Sequence, residues 1–170
     1  ASMHQWLVGT SQGHDVSLKL VGGGVGRPHK RLQEQIKSSD PCGKFIEALP
    51  FVPHEDIPAH HALADIFIFA SSCENMPNTL IEAMAAGLPI ASSNRGPMPE
   101  VLKDGGVYFD PENSQSIASA LLELLVDDDL RVRISNRAFE LSSKYSWSRC
   151  AEQTWNFLGD TYAQVSNENL

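Results

Sequence analysis

Short apolar runs alternate along the chain with longer segments in which apolar residues recur at helical spacing. The apolar runs predict strands at Val16–Val21, Phe45–Leu49, Asp65–Ala70, Leu88–Ser92 and Val107–Phe109. The other segments predict helices at Pro28–Ser38, Glu55–Leu63, Pro77–Ala86, Met98–Lys103, Ser114–Val126, Asp129–Ser142 and Trp147–Thr161, with a frayed polar tail at Gln164–Leu170. Strands that alternate with helices predict a parallel α/β sheet with right-handed crossovers.

Local signals refine some of these elements. Asp65–Ala70 is almost wholly apolar, which predicts a strand covered on both faces. Pro77 suits the first turn of a helix, Gly87 suits its end, and Asp129 is expected to cap the helix that it begins. The opening residues, Ala1–Gly13, resemble the end of a helix that no strand precedes. We therefore expect the first strand of the sheet to be absent and the chain to be cut from a longer protein.

Composition narrows the class of protein. The 170 residues are 42% apolar and 20% charged, as in an ordinary globular domain. The formal net charge of -8 argues against a nucleic-acid binder and against docking on anionic lipid by charge alone. Cys42, Cys73 and Cys150 are odd in number and widely spaced, which argues against a disulfide framework or a zinc site and favours the cytoplasm. No transmembrane segment is predicted.

The candidate site follows the apolar strand that ends at Ala70. Ligands of open parallel sheets lie beyond the carboxyl ends of the strands. The loop Ser71–Met76 leads there into a helix, and the backbone amides of Asn78, Thr79 and Leu80 are predicted donors for an anion.

Two carboxylates, Glu74 and Glu82, frame these amides at Glu-x7-Glu spacing. A carboxylate repels phosphate but accepts hydrogen bonds from paired hydroxyls, so the layout suits a diol, a diphosphate and a second diol in sequence. The alternative from spacing alone is that Glu82 is an ordinary surface residue and that Glu74 only helps the helix to start.

The segment Ser71–Ile90 resembles the signature of retaining glycosyltransferase family 4, whose Glu-x7-Glu motif precedes an alanine-rich helix and a Gly-x-Pro turn. The resemblance covers nearly the whole chain. Its further motifs are Val21–Gly24, Phe51–Pro53, Gly96 with Pro99–Val101, and Tyr145–Trp147. It implies a Rossmann-like doubly wound domain over residues 1–170, the C-terminal half of a GT-B fold. The acceptor-binding N-terminal domain would be missing.

The resemblance also assigns roles to residues of this chain. Glu82 would bind the ribose hydroxyls, and Glu74 would act as the catalytic residue beside the transferred sugar. The other donor-binding residues that it implies are Met76, Pro77, Asn78, Thr79 and Leu80 around the phosphates, Phe51, Val52 and Pro53 around the base, and Gly22 and Gly24 in a turn near the nucleotide.

The family resemblance implies a complete enzyme that transfers a hexose from a nucleoside-diphosphate sugar to an acceptor sugar or lipid-linked glycan. No metal and no cofactor are implied. The enzyme would serve polysaccharide or glycoconjugate synthesis in the cytoplasm, with peripheral attachment at the inner membrane face. The chain departs from the family in having Glu74-Asn75-Met76-Pro77 where Glu-Gly-Phe-Gly is commonest. It also lacks an upstream loop with the Arg and Lys that neutralise the diphosphate, so we expect the isolated chain to be inactive.

Other interpretations stay open or are set aside. A nucleotide-sugar epimerase half and a non-catalytic nucleotide-binding or interaction module are the alternatives. The glycines after the first strand do not form a dinucleotide motif, because Arg27 occupies the third glycine position. His54, His60 and His61 are interpreted as surface residues, and Trp6, Trp147 and Trp155 as packing residues.

Overall fold

The computed structural model describes residues 16–22 and 24–168 as short parallel strands and α-helices. The strands are β1 Leu18–Val21, β2 Ile46–Leu49, β3 Phe67–Phe69, β4 Ile90–Ser93 and β5 Val107–Phe109. The helices are α1 Gly26–Ser39, α2 Ile57–Ala62, α3 Asn78–Ala85, α4 Met98–Leu102, α5 Ser114–Val126, α6 Asp128–Ser142 and α7 Trp147–Glu168, and a 3-10 turn at His54–Asp56 precedes α2. The alternating α/β order predicted from the sequence is confirmed.

The strands pair in two parallel groups. β3, β4 and β5 form one sheet in that order, with Phe69 opposite Ser92 and Ser93 opposite Phe109. β1 and β2 form the other, with Leu18 opposite Ile46. Among residues 16–22 and 24–168, no strand joins β1 to β3.

Helices cover both faces of the three-stranded sheet. One face of β4 places Ile90 in a core with side chains of α3, α4 and α6, including Leu80, Leu102 and Leu141. The opposite face places Ala91 in a second core with Phe109 and with side chains of α5 and α6. This two-sided packing is the doubly wound arrangement.

β3 follows the same alternation. Phe67 and Phe69 pack against the first core, and Ile66 and Ile68 pack against the second, so both faces are covered as the apolar sequence predicts. All four side chains remain partly exposed. The strand is therefore less enclosed than its composition suggests.

The β1–α1–β2 unit has little core of its own, since α1 contains no buried residue. It is tied together instead by Asp40, whose carboxylate accepts hydrogen bonds from the backbone amides of Lys44, Phe45 and Ile46 at 2.9, 2.8 and 2.9 Å. Burial raises the pKa of this carboxyl, but those amides outweigh it and hold the pKa below its usual range. One buried acid thus fixes the entry to β2.

Several boundary predictions need correction. Asp127, not Asp129, caps α6, because its carboxylate accepts the Leu130 amide at 2.8 Å. Pro77 precedes α3 as its N-cap instead of occupying its first turn. The predicted frayed tail from Gln164 continues as helix to Glu168, because nothing in its sequence breaks the helical pattern of α7.

The two described tryptophans were expected to pack, but Trp147 and Trp155 are 81% and 74% exposed on α7. Helical spacing indicates which residues share a face, and it does not indicate whether a partner covers that face. Trp6, the segment Ala1–Gly13, Gly23 of the glycine turn and the last residues of the predicted tail lie outside the described residues. In the part of the chain that the structure describes, no helix is both long and apolar enough to cross a membrane.

Candidate functional site

Parallel pairing brings three loops to one edge of the three-stranded sheet. Phe69, Ser93 and Phe109 end neighbouring strands, so the segments that begin at Ala70, Asn94 and Asp110 leave the sheet on the same side. The amide of Asn94 donates to the carbonyl of Phe109 at 2.9 Å, which holds two of these exits together. This carboxyl edge is where the sequence places a ligand.

Buried residues anchor the start of α3 in the core. Pro77 is fully buried and Leu80 is 0% exposed, whereas Asn78 and Thr79 are exposed. The helix is therefore anchored by its apolar face while its first turn remains open to solvent.

Two of the three predicted amide donors are available. The amides of Thr79 and Leu80 have no hydrogen-bond partner among the residues that the structure describes. The amide of Asn78 instead donates to the carbonyl of Met76 at 2.9 Å, which corrects the expectation that it is free. The proline before it closes a tight local turn that consumes this donor. An anion at this end of α3 would thus meet two amides.

Glu82 lies one helical turn after Asn78 on the same face of α3. Helical side chains lean toward the N-terminus, so the carboxylate points toward the end of the helix that carries the free amides. The Glu82 side chain is 35% exposed, and its Oε1 lies 3.0 Å from Nε2 of His54. It is therefore partly enclosed and already partnered, unlike an ordinary surface glutamate.

His54 directly follows the segment Phe51–Pro53, which the family resemblance assigns to the base. Val52 is half-buried, whereas Phe51 is 78% exposed and Pro53 is exposed. The His54–Glu82 contact places the end of this segment beside α3. The histidine was not predicted to be functional, and its only sequence signal is its position after Pro53.

The other two histidines correct the interpretation of surface residues. His61 is buried, and its ring meets Phe67 edge-on with centroids 5.6 Å apart. Burial lowers the pKa of His61, while the nearby Glu82 carboxylate raises it by a smaller amount. The Nδ1 atom of His60 is buried without a hydrogen-bond partner among the described residues. The sequence could not show this, because α2 has only six residues and is too short for its spacing to define a buried face.

Glu74 is half-buried in the loop between β3 and α3. Its backbone carbonyl faces Gly96, where an added Cβ would lie 4.0 Å from the carbonyl oxygen. Gly96 has a φ of 52°, a left-handed conformation that favours glycine. The structure therefore brings the Glu74 loop next to the loop that follows β4.

A second charged pair lies at the carboxyl edge and was not predicted from the sequence. Arg95 Nη2 lies 3.1 Å from Oδ1 of Asp110, and the Arg95 amide donates to Oγ of Ser93 at 3.2 Å. The amide of Glu112, and then Arg95 itself, hold the pKa of Asp110 below its usual value. Asp110 directly follows β5 and Arg95 lies two residues after the end of β4, and this position after a strand is the signal that could have found them.

Gly22 and Gly24 follow β1 and therefore belong to the two-stranded group. Gly22 has a φ of 140°, which suits a glycine turn.

Two surface depressions are lined by residues outside the predicted site, one by Arg27 and Arg31 of α1 and the other by side chains at the start of α7. No group of three His, Cys, Asp or Glu side chains in residues 16–22 and 24–168 is arranged to hold a metal ion.

Comparison with known proteins gives a family and a fold. Residues 7–141 match the family described as "Glycosyl transferases group 1". The O-antigen chain mannosyltransferase B of Escherichia coli is 35% identical over 112 residues, which cover 66% of this chain and 29% of that protein. A GDP-mannose-dependent alpha-(1-6)-phosphatidylinositol monomannoside mannosyltransferase of Mycobacterium tuberculosis is 30% identical over 161 residues, which cover 87% of this chain and 40% of that protein.

The crystal structure of HepE from Anabaena in complex with UDP and glucose has the same fold, with a TM-score of 0.76 and 21% identity. The match covers 92% of this chain and 44% of HepE. The chain thus spans less than half the length of each of these similar proteins.

Proposed function

Because this chain belongs to the group 1 glycosyl transferase family, we propose that it binds a nucleoside-diphosphate sugar for retaining transfer of a hexose. The observation that carries the proposal is the start of α3. Two free backbone amides there lie one turn from a partly enclosed carboxylate, and a second acidic residue precedes them in the loop. Neither an epimerase half nor a non-catalytic module is favoured by the family match.

In this proposal Glu82 accepts hydrogen bonds from the ribose hydroxyls, and the Thr79 and Leu80 amides donate to the diphosphate. Met76 and Pro77 shape the turn in front of the phosphates, with Asn78 acting through its place in that turn and not as an amide donor. Backbone donors need no reorganisation when negative charge develops on the leaving diphosphate. The assignment requires no metal ion.

Glu74 is proposed as the catalytic residue that contacts the transferred sugar. Its loop is held beside the loop after β4, near the carboxyl edge where the strands end. Phe51, Val52 and Pro53 are proposed to surround the base, and Gly22 and Gly24 to form the turn near the nucleotide. Exposed Phe51 is suited to lie against a base, since an aromatic face stacks on any nucleobase.

We further propose that transfer needs a second, acceptor-binding domain in a longer protein. This chain corresponds to 29% and 40% of two related mannosyltransferases. In the part of the chain that the structure describes, β1 pairs only with β2 and β3 only with β4, which supports a further parallel strand between β1 and β3. The acceptor would be a sugar or a lipid-linked glycan.

The proposed location is the cytoplasm, with peripheral attachment at the inner membrane face in the full-length protein. Cys42, Cys73 and Cys150 are free and exposed, which suits a reducing compartment. Two donor bases are worth testing first, because a relative's name specifies GDP-mannose and a structural neighbour was solved with UDP.

Calorimetry with UDP and GDP tests the donor site. We expect one of them to bind weakly to the 170-residue chain and Glu82→Ala to weaken that binding about tenfold or more, since each lost hydrogen bond to a charged group contributes roughly 1.5–3 kcal/mol. Glu123→Ala, which removes an exposed carboxylate from α5, is the matched control. An unchanged dissociation constant for Glu82→Ala refutes the ribose assignment.

Transfer itself is tested in the full-length protein. Glu74→Ala should leave nucleotide affinity nearly unchanged and should abolish most of the transfer to acceptor. Turnover by the isolated 170-residue chain would contradict the need for an acceptor domain.

A further inference from the structure

A single hydrogen bond connects two parts of the proposed donor site that lie 28 residues apart in the chain. His54 Nε2 and Glu82 Oε1 are 3.0 Å apart. His54 closes the Phe51–Pro53 segment, and Glu82 is the carboxylate assigned to the ribose. Since an ionised carboxylate only accepts hydrogen bonds, His54 is the donor.

This contact contributes little to holding the fold together. The His54 side chain is 85% exposed, and exposed pairs of this kind stabilise a folded protein only weakly. Its main effect is to restrict the conformations of the Glu82 side chain before a ligand binds. A free glutamate on a helix surface samples many rotamers, and each must be abandoned when a ligand is bound.

The bond leaves Glu82 able to bind a diol. An ionised carboxylate has about four lone-pair positions, and His54 occupies one of them. Oε2 carries no hydrogen bond to another described residue, so two hydroxyls can still be accepted. The groups facing this pair include buried His61 from α2, which interacts electrostatically with Glu82.

We propose that His54 is a positioning residue, which fixes the Glu82 carboxylate for the ribose hydroxyls and keeps the base segment beside α3. The inference rests on the proposed function, because it requires that Glu82 meets a ribose. His54 lies outside the Glu-x7-Glu motif, and in this role it contributes to the selectivity of the site for ribonucleotides.

The test compares UDP and GDP with their 2′,3′-dideoxy counterparts by calorimetry on the 170-residue chain. The variants are His54→Ala, His54→Gln, Glu82→Ala and the control Glu55→Ala, an exposed neighbour in the same turn. Glutamine places an N–H donor close to the position of Nε2, so it should restore the contact. The melting temperature of each variant verifies that the fold is intact.

We expect His54→Ala to weaken binding of the ribonucleotide about 2- to 10-fold, the range of one net hydrogen bond, and to weaken binding of the dideoxy ligand clearly less, because that ligand retains the base but has no ribose hydroxyls for Glu82 to bind. His54→Gln should recover most of the loss, and Glu55→Ala should match the wild type. Equal weakening for both ligands, no weakening, or no recovery by glutamine overturns the inference.

The two proposals fail in different ways. If the wild type binds neither UDP nor GDP, or if Glu82→Ala changes nothing, the donor site and the role of His54 are both refuted. If Glu82→Ala shows a ribose-dependent loss and His54→Ala does not, only the role of His54 is refuted.

Discussion

Gly106 lies where α4 turns into β5, and we expect replacing it with alanine to destabilise the sheet that carries the site. An added Cβ would lie 2.6 Å from Cδ2 of Leu102 and 2.8 Å from the backbone oxygen of Ile90. Leu102 is 0% exposed, so its methyl group has nowhere to move, and the Ile90 oxygen belongs to the central strand β4. Overpacking of this kind costs about 1–3 kcal/mol.

The net destabilisation is smaller than the cost of the clash, because alanine also reduces the conformational freedom of the unfolded chain and so stabilises the folded protein by roughly 0.4–1 kcal/mol. A net loss of about 1–2 kcal/mol corresponds to a fall of roughly 2–8 °C in Tm for a chain of this size. The assay is thermal unfolding followed by circular dichroism and by calorimetry, whose agreement verifies a two-state transition.

Gly159→Ala is the matched control, since this glycine lies in α7 with nothing within 4 Å of an added Cβ. Alanine at an exposed helical position should keep or raise Tm, because its helix propensity is better by about 1 kcal/mol. A Gly106→Ala protein that melts like the wild type refutes the packing argument. So does an equal fall in both variants, which would show that the measurement does not respond to the space around the glycine.

Two further predictions concern stability. Burial lowers the pKa of His61 below its ordinary 6.5, so the unfolded chain takes up the proton first as pH falls and the free energy of unfolding declines below about pH 6.5. Tm measured from pH 5 to 8 should show this decline in the wild type and a flatter profile in His61→Gln; identical profiles would contradict it. Asp127→Ala removes the carboxylate that caps α6 and should cost about 1 kcal/mol, whereas Asp129→Ala, the cap expected from sequence, should cost much less in the same denaturant titration.

Elements whose local signals agree with their surroundings were predictable from the sequence. β5 and α5 have the predicted bounds, Val107–Phe109 and Ser114–Val126. Asn113 caps α5 by accepting the amides of Gln115 and Ser116, so the cap and the apolar spacing indicate the same start. At α6, three consecutive aspartates offer three possible caps, and only the folded backbone selects Asp127. The sequence could not make that choice.

The site was predictable in its motif and not in its contacts. The order of strands was enough to place the loop of Glu74 and the start of α3 at the carboxyl edge. The Asn78 amide donates to the Met76 carbonyl and is therefore not free for a ligand, which depends on the backbone angles of Pro77. The family pattern has glycine at this position and does not predict that hydrogen bond. The approach of His54 to Glu82 depends on packing between segments 28 residues apart, and no local spacing encodes it.

These contacts matter because the two sides of the proposed site are packed unequally. α3 is anchored in the core by Leu80, Ala83 and Met84, which are all 0% exposed, so its amides and Glu82 are carried by a well-packed helix. The segment Phe51–Pro53 follows β2, whose unit with α1 has little core of its own. The proposed donor places its base against the segment Phe51–Pro53 and its ribose and phosphates against α3. A contact that holds this segment and α3 in the binding arrangement before the donor arrives would therefore raise its affinity. The hydrogen bond between His54 and Glu82 is such a contact, which is why an exposed histidine of little consequence for folding is expected to matter for binding.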